Sequence, residues 1–169
     1  MQRLTDMSID IGLVRSDSVI RPLKSKPVLT ITYGLFLPAK MVTSVDTRDL
    51  RHSLANVPLA IPYMGQLREH VEMAAAKAGW PLRIELYCGS FMQAAWAVKS
   101  GASGAILPVV AAAEFGEEEV AQFPLPFLNS YIKPICIAWN PRLTEVRPGV
   151  AKAIAALEQV LATRQKKRR

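Results

Sequence analysis

Residues 57–108 read strand, helix, strand, helix, strand, and few folds accept that order. "VPLAI" (57–61), "LRIELYC" (82–88) and "GAILP" (104–108) are short apolar runs that suit strands. Between the first two, residues 66–78 bring Leu67, Val71, Ala74, Ala75 and Ala78 to helical spacing; between the second and third, Phe91, Ala94, Ala95 and Val98 form one apolar stripe. The punctuation agrees, since Gly79 and Gly101 stand where the helices stop and Ser90 can accept a bond from the first free amides of the second helix. Parallel neighbours need crossover connections, so the segment predicts an α/β fold in which helices cover a parallel sheet. The third strand feeds a small Ala-rich helix ending near Gly116.

The flanks add further elements. "IDIGLVR" (9–15) and "PVLTITYGLFL" (27–37) each read as one strand, and Asp46 or Thr47 can cap a brief helix running through Leu54. "VAQFPLPF" and "KPICIAW" are extended segments whose prolines suit strand ends and edges. From Pro148 onward Val150, Ile154, Leu157 and Leu161 fall on one face of a final helix.

Half of the 169 residues are apolar and 21% are charged, which is enough for one ordinary domain or two small lobes with a real core. The net charge of +7 points toward nucleic acid only superficially, because Arg164, Lys166, Lys167, Arg168 and Arg169 cluster at one end and the rest holds 16 basic against 14 acidic residues. Such a run reads as a solvated end, with non-specific phosphate contact as the sharper alternative. Cys88 and Cys136 each lie inside an apolar run with no second cysteine near, as small buried hydrophobes in a reducing compartment do. Arg3, Asp6 and Asp10 interrupt the first 14 residues, so no export signal is expected there. The longest apolar run, 104–113, is broken by Pro108 and falls short of the roughly 20 residues that span a bilayer, so the expected address is the cytoplasm, without a membrane partner.

No catalytic constellation emerges. His52 and His70 lack partners at metal-ligand spacing, and "REHVE" around His70 has no second histidine one turn on. There is no P-loop, nucleophile elbow or dinucleotide glycine fingerprint, and "SGASGA" (100–105) does ordinary work as a helix end and turn. Neither a catalytic residue nor a metal or cofactor is expected. Three segments nevertheless share one geometry: "PYMGQ" (62–66), "CGSF" (88–91) and "LPVV" (107–110) each join a strand end to a helix start. In a parallel sheet such turns gather on one rim, where free amides and the positive ends of helices suit a small anion.

Several blocks resemble the effector-binding domain of LysR-type bacterial transcription regulators. "IDIGLVR" followed by "LTITYGLFLPA", then "DLRHSLANVPLAI", "LREHVEMAAAKAGWPLRIEL", "SFMQAAWAVKSGASGAILP" and "VRPGVAKAIAALEQVL", are similar to the family's successive blocks in order and spacing. Two positions depart from the pattern: Ser103 stands where a glycine is usual, and Pro38 is followed by Ala39 where the family often has a histidine-proline pair nearby.

The resemblance implies a periplasmic-binding-protein-like (type II) two-lobed α/β fold. Residues 41–129 would form a complete second lobe; 1–40 with 131–169 would form a partial first lobe lacking the family's opening strands and helices. A small organic acid or aromatic effector would bind between the lobes without being transformed. DNA would be reached only through a helix-turn-helix that this chain does not contain. The expected lining is Arg15 and Ser16, Tyr63, Met64 and Gln66, Ser90 and Phe91, and Pro108 and Val109, with Arg15 pairing an effector carboxylate and Ser90 holding its other oxygens. Each has a plainer alternative: Arg15 as a strand-end charge, Ser90 as a cap, Phe91 as core. Two other functions stay open. One is a truncated module that pairs with full-length regulators, or with itself, through helix 66–78; the other is an enzyme on the same architecture.

Overall fold

The computed structural model describes residues 1–166 apart from Ser44, Thr47, Met64 and Glu117, with the backbone alone for residues 162–166. In chain order the elements begin α1 (Gln2–Thr5), β1 (Ile11–Arg15), β2 (Lys24–Ile31), β3 (Tyr33–Pro38), α2 (Ala39–Val42), α3 (Leu50–Ser53), β4 (Pro58–Pro62) and α4 (Gln66–Ala78). They continue with β5 (Arg83–Cys88), α5 (Phe91–Lys99), β6 (Gly104–Pro108), β7 (Val120–Pro124), β8 (Lys133–Trp139), α6 (Pro141–Val146) and α7 (Pro148–Lys166). Two compact units result: Met1–Ile31 with Lys133–Arg169, and Thr32–Ile132.

The first unit is a three-stranded antiparallel sheet in the order β1-β8-β2. Side chains alternate across β8, so Ile137 packs with Leu143, Val150 and Ile154 on one face while Ala138 packs with Leu4 and Leu23 on the other. Asn140 joins the ends of this unit: its Oδ1 accepts from the Arg142 amide and its Nδ2 donates to the Thr5 carbonyl, both at 3.1 Å.

The second unit is a five-stranded sheet in the order β5-β4-β6-β3-β7, with β4 parallel to β5 and to β6 and β3 antiparallel to β6 and β7. The expected middle segment is therefore found as three parallel strands, joined by α4 and α5 on opposite faces. Leu35, Leu37, Leu59, Ile61 and Ile106 meet Leu67 and Val71 of α4. Phe36, Ala60, Ala105 and Leu107 meet Ala94, Ala95 and Val98 of α5. Both faces of β3, β4 and β6 are buried, which explains their unbroken apolar runs, whereas β5 at the sheet edge is largely exposed. Gly79 ends α4 in the left-handed region at φ 69°, where the Arg51 Nε donates to its carbonyl at 2.8 Å.

Several expectations need correction. Residues 27–37 are two strands, since β2 is bonded to β8 in one sheet and β3 to β6 and β7 in the other; with no turn residue at Thr32, only long-range pairing reveals the break. Residues 33–38, expected in the first lobe, accordingly belong to the second unit's sheet. The cap of the brief helix is Asp49, whose carboxylate accepts from the His52 amide, while Asp46 accepts from the Arg48 amide in the turn before; Thr47 lies outside the described residues. The Ala-rich segment is a 3-10 helix, Val109–Glu114, and "VAQFPLPF" is β7 followed by a short 3-10 turn.

Candidate functional site

The strand register fixes which turns share an edge. Pro62 at the end of β4 lies opposite Cys88 at the end of β5, Pro108 at the end of β6 lies opposite Tyr33 at the start of β3, and Gly34 lies opposite Pro124 at the end of β7. One rim of the second unit therefore carries the turns around Tyr63, Ser90 and Val109 together with Tyr33. Backbone bonds stitch it, from the Tyr63 amide to the Cys88 carbonyl at 2.9 Å and from the Val109 amide to the Thr32 carbonyl at 2.8 Å. The chain leaves β4 to form β5 on one side and returns to form β6 on the other. Such a reversal of strand order opens a crevice at the carboxyl ends, between the first and third strands. Pro62 and Pro108 have no N–H to prolong the ladder there.

The side chains at the rim are largely aromatic. The Tyr63 ring lies 3.9 Å from where a Cβ on Gly89 would stand, and the rings of Tyr33 and Phe91 are 6.3 Å apart. Tyr33 also contacts Tyr131 (5.3 Å), which stacks on His70 (4.1 Å). Tyr63 is 52% exposed and Phe91 39%, so Phe91 is not the core residue its stripe position also allowed. Tyr33 and Tyr131 were not expected here, because the sequence places Tyr33 inside one long strand and offers no local signal for Tyr131.

Polar groups follow from the helix starts. The Ser90 Oγ caps α5 by accepting from the Gln93 amide at 3.2 Å, and the Gln93 side chain returns to accept from the Gly89 amide at 2.6 Å. This reciprocal arrangement satisfies two amides but leaves the Ser90 hydroxyl proton available. The cap of α4 is Gly65, which has no side chain to offer, and Gln66 opens the helix exposed to solvent. Pro108 is buried, Val109 is half-buried, and Met64 lies outside the described residues. Burial pushes the Cys88 thiol up, keeping it neutral.

Arg15 and Ser16 belong to the first unit, at the end of β1 opposite Ile135. The Arg15 guanidinium grips Asp17 through Nε (2.9 Å) and Nη2 (2.7 Å), and that contact holds the Asp17 carboxyl below its usual range. The Ser16 Oγ is buried and has no hydrogen-bond partner among the described residues. Elsewhere a depression of about 360 Å³ lies beside α4 and β5, lined by Glu72, Ala76, Trp80, Leu82, Ile84 and Tyr87; none of the expected site residues lines it. No cluster of three or more His, Cys, Asp or Glu able to hold a metal occurs among the described residues, and no described helix is long and apolar enough to cross a membrane.

The sequence matches the family profile described as LysR substrate binding domain across residues 1–162. The chain belongs to this family. Its fold is accordingly of the periplasmic-binding-protein-like type II class.

Solved LysR-family structures agree in fold at low identity. A putative LysR regulator from Pseudomonas aeruginosa superposes with a TM-score of 0.64 at 15% identity, covering 98% of this chain and 57% of that one. The reduced regulatory domain of OxyR2 from Vibrio vulnificus gives 0.63 at 13%, covering 96% and 75%. The LysR family regulator CbnR gives 0.60 at 17%, covering 83% of this chain and 49% of CbnR, so the match spans about half of that regulator's length. No functionally curated protein matches the sequence.

Proposed function

We propose that this LysR-family domain senses a small organic acid or aromatic compound for a cytoplasmic transcription regulator and catalyses no reaction. The observation that carries this reading is the shared rim: three strand-to-helix turns meet there, with exposed Tyr63 and Phe91 for an apolar ring and two helix starts for an anionic group. Arg15 and Ser16, in the first unit, are proposed separately as effector contacts, and the Ser16 hydroxyl, which has no partner among the described residues, would find an acceptor there. Sensing requires different affinities for two arrangements of the domain, because a ligand that binds both equally shifts nothing.

Ser90 separates sensing from capping. Aspartate is as good a helix cap as serine, so Ser90→Asp should fold with a melting temperature close to the parent's. It would place a second anion against the effector's, and the rise in melting temperature given by a binding carboxylate should disappear. A panel of aliphatic and aromatic carboxylates read by thermal shift makes the comparison; an undiminished rise in Ser90→Asp would refute the assignment.

Arg15 gives a change of opposite sign. Asp17 occupies the guanidinium fork that an effector carboxylate would need, so Asp17→Asn should tighten binding of the same carboxylate by several-fold in calorimetric titration. Unchanged or weaker binding would remove Arg15 from the site.

A second reading is favoured by the outer surface of α4 and β5. Met73 of α4 and Tyr87 of β5 are exposed large apolar residues, and Tyr87 lines the Trp80 depression. A domain that works by pairing with itself or with full-length regulators would use such a face. Mixing with a full-length LysR-type regulator, followed by sedimentation, tests it: a mixed oligomer abolished by Met73→Glu supports pairing, and separate sedimentation refutes it.

A further inference from the structure

The chain enters the second unit at Thr32 and leaves it at Ile132, and a tyrosine stands next to each passage. The rings of Tyr33 and Tyr131 lie 5.3 Å apart, so both ends of the unit are tied together by one aromatic contact. Tyr33 also meets Phe91 of the rim at 6.3 Å, and Tyr131 is backed by His70 of α4 at 4.1 Å. Phe91, Tyr33, Tyr131 and His70 therefore form a continuous row of rings drawn from α5, β3, the segment before β8 and α4.

The two ends of the row differ. Phe91 is partly open to solvent, so its place depends on the groups behind it, of which Tyr33 is one. Tyr131 is buried in the core cluster that also holds Leu67 and Val71 of α4. Those two residues stand one turn before His70 and directly after it, so the helix holds His70 firmly against the Tyr131 ring. This contact is the shortest of the three and nearly parallel, at 24°. The His70 Nε2 is buried and has no hydrogen-bond partner among the described residues, so the stack, and not a bond from that atom, sets the ring. An unpaired buried nitrogen is costly, and fold stability alone would favour a phenyl ring at this position. A close-packed interior has few voids to absorb a displacement, so a shift at one ring is passed to the next.

We propose that His70 is a positioning residue for the effector rim: through Tyr131 and Tyr33 it sets the place of the Phe91 ring, and a ligand that moves Phe91 is felt at α4 through the same row. The role in sensing rests on the rim reading above; the row of contacts itself does not. Coupling of this kind is a free energy shared by both ends, so removing His70 changes the rim and occupying the rim changes α4. A histidine that merely fills space would act on Tyr131 and no further.

NMR spectra of the full chain without ligand give the first test. His70→Ala should move the Phe91 ring signals and the amides of Phe91 and Val109, the latter bonded to the Thr32 carbonyl beside Tyr33, by more than a linewidth. His70→Phe, which keeps a ring on Tyr131, should leave them near the parent's positions, as should Met73→Ala on the exposed face of the same helix. Shifts in His70→Ala that end at Tyr131 overturn the proposal. Affinity for the carboxylate that most raises the melting temperature gives the second test. His70→Ala and Phe91→Leu should each weaken binding about fivefold, and the double variant also by about fivefold, where independent residues would lose about 25-fold. His70→Phe should recover the parent's affinity. A 25-fold loss in the double variant, or no recovery by phenylalanine, overturns the proposal. If the parent binds no carboxylate, the sensing reading falls and the spectra alone decide whether His70 positions the rim.

Discussion

Gly104→Val should destabilise the protein by about 3 kcal/mol, at the upper end of what overpacking a filled core costs, and most of the expressed chain should be insoluble. A Cβ at Gly104 would stand 2.5 Å from the Leu37 Cδ2, 3.1 Å from the Leu59 Cδ2 and 3.2 Å from the Phe36 carbonyl oxygen. Leu37 and Leu59 are fully buried, and the third neighbour is backbone, so nothing nearby can give way. The position also pairs with Leu59 where β4 meets β6, so the strain falls on the strands that carry the rim. Gly149→Ala is the contrasting control: a Cβ there meets nothing within 4 Å in the first turn of α7, and the change should stabilise by about 0.5 kcal/mol. Urea denaturation of the soluble variants measures both; Gly104→Val as stable as the parent would show that the sheet is packed differently.

Asn140→Leu should cost about 2–3 kcal/mol through a different cause. Asn140 is a buried polar residue, and its two hydrogen bonds serve the start of α6 and the end of α1. Leucine keeps the volume but leaves the Arg142 amide uncapped and the Thr5 carbonyl unpaired away from water, which are losses of about 1 kcal/mol and 1–2 kcal/mol. Asn140→Ser retains an acceptor for the cap but has no donor positioned for Thr5, so it should lose about half as much. Denaturation midpoints of the three proteins should fall in the order parent, serine, leucine; a leucine variant equal to the parent would remove Asn140 from the account of the first unit.

What the sequence disclosed and what it withheld divide along the range of the interactions. Residues 66–78 and Ser90 announce themselves through local spacing and capping, and α4 and the α5 cap stand where expected. Thr32 gives no sign, because β-favouring residues continue across a point where the chain changes sheet and only pairing with β8 or β6 distinguishes the two sides. The helices α1 and α6 are too short to show a period, although Asn140-Pro141 is a cap followed by a proline at the first helical position and could have marked α6. At the rim, the turns at Tyr63, Ser90 and Val109 were legible because parallel strands force their ends together. Tyr33 and Tyr131 were not, since their places depend on antiparallel pairing and ring contacts far apart in sequence. The involvement of Arg15 with Asp17, two residues away, was readable in principle as a strand-end pair of opposite charges.

Amide NMR shifts of the isotopically labelled chain, followed during titration with the carboxylate that gives the largest thermal stabilisation, bear most directly on the effector rim. The amides of Tyr33, Tyr63, Gly89, Ser90, Phe91 and Val109 should move together and saturate along one binding curve. Shifts confined to Glu72, Ala76, Trp80 and Tyr87, beside α4 and β5, would contradict the rim as the binding surface.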